Sequence, residues 1–498
     1  MVMRLPLLHL TLALQSVQAF QLSTQNNRNS IISKNSDDLR HLNQNLRTDA
    51  NGRLPSPLYV TQSGRTSEDI QQELTAGKLL EGGEVIDFAN VQYKESKAEI
   101  ALADARSRFL NSQGGSSASS LSLTTNNGER LMGINDEVVA EIGYEVGSWA
   151  ADMQEDVQNC AAYLRYKSSL FSANEDASRF QNLPQSTIDW YEQILAKSYV
   201  ESGDVTSAFA KTFYLGTKLM PEDAQSAIWA IYVWCRRTDE IVDAERTGYA
   251  TKEEENKAML TDLSAWEVRT ERLWSHGDVV DILDLPLLDV LCKTTAKGNP
   301  LDITPFKDMI RGMLMDIPDL GQDRYQTWEE LHLYCYRVAG TVGLMTTPIF
   351  GTADGCTAEE AKEPALSLGV AFQITNILRD VGEDAVSRGR VYLPRDDMAK
   401  FGVTEEQILN QRMDDNYKRL MQYEIARARK YYARAQRGVA MLAPDSRLPV
   451  QSSLDCYGAI LDKIEKDNDY NSLQYRAYVG KWEKLFMVLL SWWKIVWL

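Results

Sequence analysis

Histidine and cysteine are scarce in this chain, four and six in 498 residues. The cysteines (Cys160, Cys235, Cys292, Cys335, Cys356 and Cys456) are scattered and form no C-x-x-C pair. That excludes a zinc ribbon, a thioredoxin-like motif and a disulfide framework. His9 and His41 fall in segments expected to be removed or unstructured, so His276 and His332 are left, too few for a histidine-built metal site. Basic residues are outnumbered: 53 Lys and Arg against 70 Asp and Glu give a net charge of −17. Such a surface repels phosphate backbones and excludes nucleic acid as a partner. An anionic substrate would need a cation between itself and this protein. What the chain does have is apolar residues, 44%, in the proportion of a soluble globular protein. Its chemistry is therefore expected to run on carboxylates.

Residues 1–19 read as a secretory-type signal: Arg4, an apolar stretch from Leu5 to Leu14, then Val17-Gln18-Ala19 with small residues for cleavage. The apolar stretch is shorter than the ~20 residues that span a bilayer. Residues 20–60 are rich in Asn and Ser and poor in acid, a transit-peptide-like segment that cannot build a core. Residues 61–133 form an extension with helix-prone stretches at Glu68–Leu80 and Lys94–Leu110, and a flexible Gly/Ser/Asn linker at 111–128. From 134 to 485 apolar residues recur at three- and four-residue spacing, Gly and Pro are sparse and hairpin signals are missing. This predicts one all-α domain. Residues 486–498 are a hydrophobic tail with one charge, Lys494, and tryptophans at 492, 493 and 497. The tail is too short to cross a bilayer, and tryptophan favours its interface, which predicts binding at a membrane surface. The competing reading is a last helix packed on the domain.

Two acidic stretches carry the chemistry. Asp239 and Asp243 lie four apart, hence on one face of a helix, where like charges repel unless a cation sits between them. The preceding run, Ala227 to Cys235, is apolar nearly all round, which predicts a buried helix whose acids face a lined cavity. Asp380 and Asp384 repeat the spacing after the apolar stretch Ala365–Leu378. Gln373, Asn376, Asp380 and Asp384 follow at gaps of three and four as one polar stripe. Such oxygens suit Mg²⁺, with Mn²⁺ as the alternative, held by carboxylates together with substrate phosphates. Four aspartates and a diphosphate call for about three divalent cations to approach neutrality. Arg236, Arg237, Arg379, Arg388 and Arg390 flank the motifs, and guanidinium forks suit phosphate oxygens; pairing within the helix is the other reading for Arg237 and Arg379. A metal-held diphosphate in an apolar helical cavity points to an allylic prenyl substrate, whose carbocation a ring face can stabilise. Phe213, Tyr232 and Tyr334 are the candidate rings.

In these residues the chain resembles the squalene/phytoene synthase family, most closely its phytoene-forming members. The matching stretches are Ala210 to Gly216, Ala227 to Asp243, Pro305 to Ile310, Tyr334 to Gly343, Gln373 to Asp384, Arg388 to Pro394 and Tyr478 to Lys481; the resemblance covers about residues 190–485. It implies packed helices around one central cavity, the isoprenoid synthase type of fold. It further implies head-to-head condensation of two geranylgeranyl diphosphates, through prephytoene diphosphate, to phytoene, the first committed step of carotenoid formation. Asp239, Asp243, Asp380 and Asp384 would hold Mg²⁺. Tyr232, Arg236, Gln373, Asn376, Arg390 and Tyr392 would surround the diphosphates, while Phe213, Tyr334, Val338, Val342 and Tyr457 would line the cavity. No NADPH is expected. The alternatives are squalene or dehydrosqualene synthesis from farnesyl diphosphate, or a non-catalytic assembly-factor relative. Phe20 after the cleavage point resembles the bipartite presequences of algae with secondary plastids, which implies a plastid enzyme; with the tail, peripheral membrane association is expected, and other carotenoid enzymes as partners. The chain departs from the family at Asp384–Arg390, where it carries one extra residue and lacks one Arg. The extra residue is expected in a loop, keeping Arg390 in step with Tyr392 and leaving Arg388 without an assigned role.

Overall fold

The computed structural model describes residues 83–86, 88, 96–112, 153–171 and 177–496, apart from 244, 245, 247, 318 and 319. The expected signal, the transit-like segment, the stretch Glu68–Leu80 and nearly all of the linker lie outside the described residues.

Among the described residues there is no strand; two isolated bridges, Arg324 with Val391 and Thr352 with Leu442, are the extent of extended pairing. The helices are α1 (Lys97–Ser112), α2 (Gln154–Lys167), α3 (Gln185–Phe209), α4 (Lys211–Thr217), α5 (Glu222–Asp243), α6 (Lys252–His276), α7 (Leu285–Ala296), α8 (Thr304–Leu314), α9 (Trp328–Cys335), α10 (Thr341–Phe350), α11 (Ala358–Arg388), α12 (Arg395–Phe401), α13 (Glu405–Leu409), α14 (Asp415–Val439), α15 (Pro444–Lys466) and α16 (Lys481–Val496). Their ends follow local chemistry. Thr357 and Glu360 form a reciprocal capping box that starts α11, and Thr251, Thr327, Thr404 and Asp414 accept amide hydrogens at the starts of α6, α9, α13 and α14. Gly389, at φ 61°, ends α11 in the left-handed region, where a side chain would be strained. The extra residue expected in a loop is instead absorbed by the helix, which runs on through Ala385, Val386, Ser387 and Arg388 because nothing before Gly389 breaks it.

Among the described residues the interior has two large hydrophobic cores and a small cluster at Val205, Val233 and Leu283. One is built by α1, α2, α3, α5, α6, α7 and α8 around Ile231, Trp234, Leu263, Leu288 and Phe306. The other is built by α9, α11, α14 and α15 around Ile374, Leu378, Tyr417, Tyr431 and Leu461. Between them runs one interrupted helix: α9, then a π-turn at Tyr336–Gly340, then α10. Val338, on the π-turn, packs against both cores. The first aspartate motif closes α5, in the first core, and the second lies near the end of α11, in the second.

At the C-terminus, α16 lies along α15. Ser491 is fully buried and donates to Asp455 at 2.6 Å; Lys494 reaches the same carboxylate at 2.7 Å, and Glu483 pairs with Lys463 at 2.6 Å. Trp482, Phe486, Leu489, Trp493 and Val496, spaced four, three, four and three, are all exposed. The tail expected at 486–498 is thus the larger part of a helix that docks through Ser491 and the half-buried Leu485, Met487, Val488 and Ile495, and leaves an apolar stripe outward. Trp497 lies outside the described residues.

Candidate active site

Most of α5 is buried, with Ile228, Ile231, Val233 and Trp234 packed inward. The exceptions follow one side: Tyr232, Arg236 and Asp239 are half-buried and Asp243 is exposed, at gaps of four, three and four. On α11, Ile374, Ile377, Leu378 and Val381 are buried, while Gln373, Asn376, Asp380 and Asp384 are half-buried. The stripes predicted by spacing are the open sides of two otherwise packed helices.

Their electrostatics differ. Burial, and then neighbouring Asp243, push the Asp239 carboxyl up to about 7, with Arg236 opposing and Asp316 adding. Burial and Asp380 push Asp384 up to about 6. Burial works to raise Asp380 as well, but Arg379 donates to it at 2.8 and 2.5 Å and Arg476 at 2.7 and 3.3 Å, holding it below the usual carboxylate range. Arg236 pairs with Glu240 and lies over the Phe209 ring at 4.5 Å. Arg237, counted from the sequence among the flanking cations, is buried and pairs with Asp281 at 2.6 Å and Asp284 at 3.1 Å. Its role is to tie α5 to the segment before α7. Arg379 does pair within its own helix.

Asp316, two residues past α8, joins the two motifs. Arg390 donates to its carboxylate at 2.7 Å and to its backbone carbonyl at 2.8 Å, and the Tyr334 hydroxyl donates at 3.2 Å. Burial raises the Asp316 carboxyl, Arg390 opposes, and Asp243 adds to the rise. Asp316 in turn raises Asp239, while Arg388 and Arg390 act on both Asp316 and Asp384. Both motifs and the arginines after α11 therefore share one electrostatic space. The turn at Gly389 brings Arg390 back, its amide donating to the Asp384 carbonyl at 3.1 Å; Arg390 also donates to the Tyr392 hydroxyl at 3.1 Å.

Apolar and aromatic walls adjoin. Phe213 and Tyr232 lie 5.5 Å apart, Tyr334 stacks on Tyr392 at 5.5 Å, and both contact Tyr325. Tyr457 stacks on Phe372 at 4.3 Å, Val338 touches both cores and Val342 packs on the first. Burial pushes the Tyr232 hydroxyl up to about 12, so it stays protonated and its ring neutral. His332 is buried among Phe88, Trp328 and Tyr431, and burial drives its pKa down to about 3, so it is a neutral packing ring.

Among the described residues no three His, Cys, Asp or Glu side chains form a ready metal cage. The donor set nevertheless suits a hard divalent cation shared with a ligand. The carboxylates are paired, Asp239 and Asp384 are raised by burial and then by their neighbouring aspartates, and among the described residues the buried carbonyl oxygen of Asn376 has no hydrogen-bond partner. Sequence reasoning missed Asp316, Arg476 and Tyr325. Asp316 is a lone acid after an amphipathic helix, with no periodic partner to mark it, and Arg476 lies 96 residues from the carboxylate it grips.

The all-α fold is similar to that of a solved dehydrosqualene synthase. That structure matches 61% of this chain and 99% of its own, with a TM-score of 0.52 and 25% identity. Residues 206–483 match the family model for squalene/phytoene synthase, and the chain belongs to that family. It is 48% identical over 302 residues to 15-cis-phytoene synthase from Synechococcus elongatus, covering 58% of this chain and 91% of that protein. It is 44% identical over 369 residues to phytoene synthase 1, chloroplastic, from Solanum lycopersicum, covering 74% of this chain and 84% of the relative.

Proposed function

We propose that this chain joins two geranylgeranyl diphosphates head to head, through prephytoene diphosphate, to form phytoene. The observation that carries this is the pair of half-buried aspartate stripes facing one electrostatic space beside an aromatic and aliphatic wall, in a chain close to half identical to phytoene synthases. Asp239, Asp243, Asp380 and Asp384, with Asn376 beside them, would hold Mg²⁺, or Mn²⁺ in its place. When bound, the cation would supply positive charge to the diphosphate leaving group, whose allylic C–O bond breaks with its electron pair on oxygen. Arg390, aimed by Asp316 and Tyr392, grips phosphate oxygens, and Arg236 and Gln373 complete the polar rim. Phe213, Tyr232 and Tyr334 turn ring faces toward the allylic cation, while Val338, Val342 and Tyr457 exclude water and hold the chains. Each half-reaction expels one diphosphate and one proton, so no reductant is needed and NADPH has no part. The test is full-length protein with geranylgeranyl diphosphate and Mg²⁺, with and without NADPH. Phytoene and diphosphate are expected equally in both, and a product made only from farnesyl diphosphate, or only with NADPH, overturns the reading.

The chloroplastic relatives support a plastid location. Among the described residues no helix is long and apolar enough to cross a membrane. The outward stripe of α16 supports peripheral binding, its tryptophans at the bilayer interface. Other enzymes of carotenoid formation would meet this one on the same membrane. Liposome flotation of the full chain against a truncation after Lys484 checks the helix. Loss of flotation by a truncation that still folds is expected, and equal flotation of the two forms sinks the idea.

A further inference from the structure

The helix α1 precedes the part of the chain that matches the family, yet it is packed into the same unit. Ala98, Leu102 and Ala105 form its buried face against α6. Glu99, in its first turn, caps its helix and faces two arginines: Arg311, 3.9 Å away and also paired with Glu267 at 3.4 Å, and Arg337, which lies closer. Its Oε2 accepts the Ser96 amide at 2.7 Å while the Glu99 amide donates to the Ser96 hydroxyl at 3.2 Å, a capping box that fixes the side chain. Its Oε1 accepts a hydrogen bond from Arg337 at 2.7 Å. Burial works to raise the Glu99 carboxyl, but the Ser96 amide and Arg337 hold it below the usual range.

Arg337 is 7% exposed and sits on the π-turn between the two cores. Among the described residues Glu99 is the one acid within ion-pairing distance of it; its other guanidinium contact is the Met315 sulfur at 3.8 Å. The turn itself is tightly framed. The Thr341 amide donates to the Tyr336 carbonyl five residues back, and the Tyr336 hydroxyl donates to Asp308 at 2.6 Å. Gly312 of α8 comes so near that an added Cβ would lie 3.0 Å from Arg337 Cβ and 3.1 Å from Val338 Cγ1. Tyr334 lies just before the turn, Val338 on it, and Met315 next to Asp316. A guanidinium with no counter-ion cannot stay buried at that point. It would move toward water and take the turn with it.

We propose that Glu99 is a positioning residue for the condensation: an acid supplied by the N-terminal extension that neutralises Arg337 and so sets the π-turn carrying the cavity wall. This rests on the function proposed above, and the experiment separates the two. Full-length Glu99→Gln, which keeps the size and a hydrogen-bonding oxygen, is compared with wild type and with Glu99→Gln/Arg337→Met, which removes the stranded charge. Amide hydrogen exchange is read without substrate, and kcat and KM for geranylgeranyl diphosphate are read with Mg²⁺, well below the melting transition of every variant. For Glu99→Gln, exchange at 336–342 should rise about tenfold and kcat fall about tenfold, with KM within about twofold. In the double variant both should return to within about threefold of wild type. Unchanged exchange at the turn, protection lost evenly over all helices, or a double variant as impaired as the single one overturns the proposal. If wild type itself releases no diphosphate, the function reading fails, and the exchange result alone still decides whether Glu99 holds the turn.

Discussion

The two acidic helices have the same D-x-x-x-D spacing, but their first aspartates are shifted in opposite directions, Asp239 up and Asp380 down. On α5 the adjacent arginines are committed elsewhere, Arg236 to Glu240 and Arg237 to Asp281 and Asp284, so among the described residues the Asp239–Asp243 pair has no ion-pair partner. On α11 two arginines close on Asp380, one from its own helix and one from the segment before α16. The charge state of such a motif is thus set less by its spacing than by which arginines the fold delivers. If the site holds the proposed divalent cation, the α5 carboxylates would receive it without displacing an arginine. At α11 the same cation would have to compete with Arg476 and Arg379 for Asp380.

The largest expected effect tests whether the helices act together. Asp239→Asn and Asp380→Asn should each lower turnover about a thousandfold or more while circular dichroism stays that of a folded protein, since each removes a charge needed to hold the cation. If one of the two retains near-wild-type activity, its helix is not part of the site and the comparison breaks there. A smaller effect belongs to the arginine that spans both motifs. Arg390→Lys should cost about tenfold or more in kcat/KM, because lysine keeps the charge but loses the fork that now engages Asp316 and Tyr392. Arg388 is exposed and makes no such contact, so Arg388→Lys is the control. Equal losses in the two variants would remove Arg390 from its special place.

Much of this was legible in the sequence for a physical reason. A helix buried on most sides announces itself by apolar periodicity, and a cavity-facing stripe by polar residues at three- and four-residue gaps, so α5, α11 and their aspartates could be located without coordinates. Periodicity describes one helix at a time. It could not show that Arg237 turns inward to Asp281, that Arg476 reaches Asp380, or that Asp316 stands between the motifs, because each of those pairs separate segments. It could not place the π-turn either, since Tyr336–Gly340 reads as ordinary helix. The extension from 61 onward matched no motif, yet its α1 supplies Glu99 to a buried arginine far along the chain.

The smallest effect is on stability, and there the two helices should differ in sign. The Asp239 carboxyl, raised to about 7 when folded against an ordinary 3.8, binds its proton more tightly in the folded state. Its favourable contribution is complete below about pH 4 and is lost as pH rises to about 7, so above neutrality the ionised group weighs against folding. Asp239→Asn has no such charge and should be about 1 to 2 kcal/mol more stable than wild type at pH 8, a figure reduced for the group's partial exposure, with the gain vanishing near pH 4. Asp380 behaves the other way. Its lowered pKa contributes stability above the ordinary value, present at neutral pH and lost as pH falls below about 4. Asp380→Asn should therefore be less stable than wild type at pH 8, by about 1 kcal/mol or less given the exposure of Arg476, and converge with it in acid. Urea unfolding of the ligand-free proteins between pH 4 and 8 measures both. If both substitutions shift the midpoint in the same direction at pH 8, the contrast between a bare and an arginine-held motif is false.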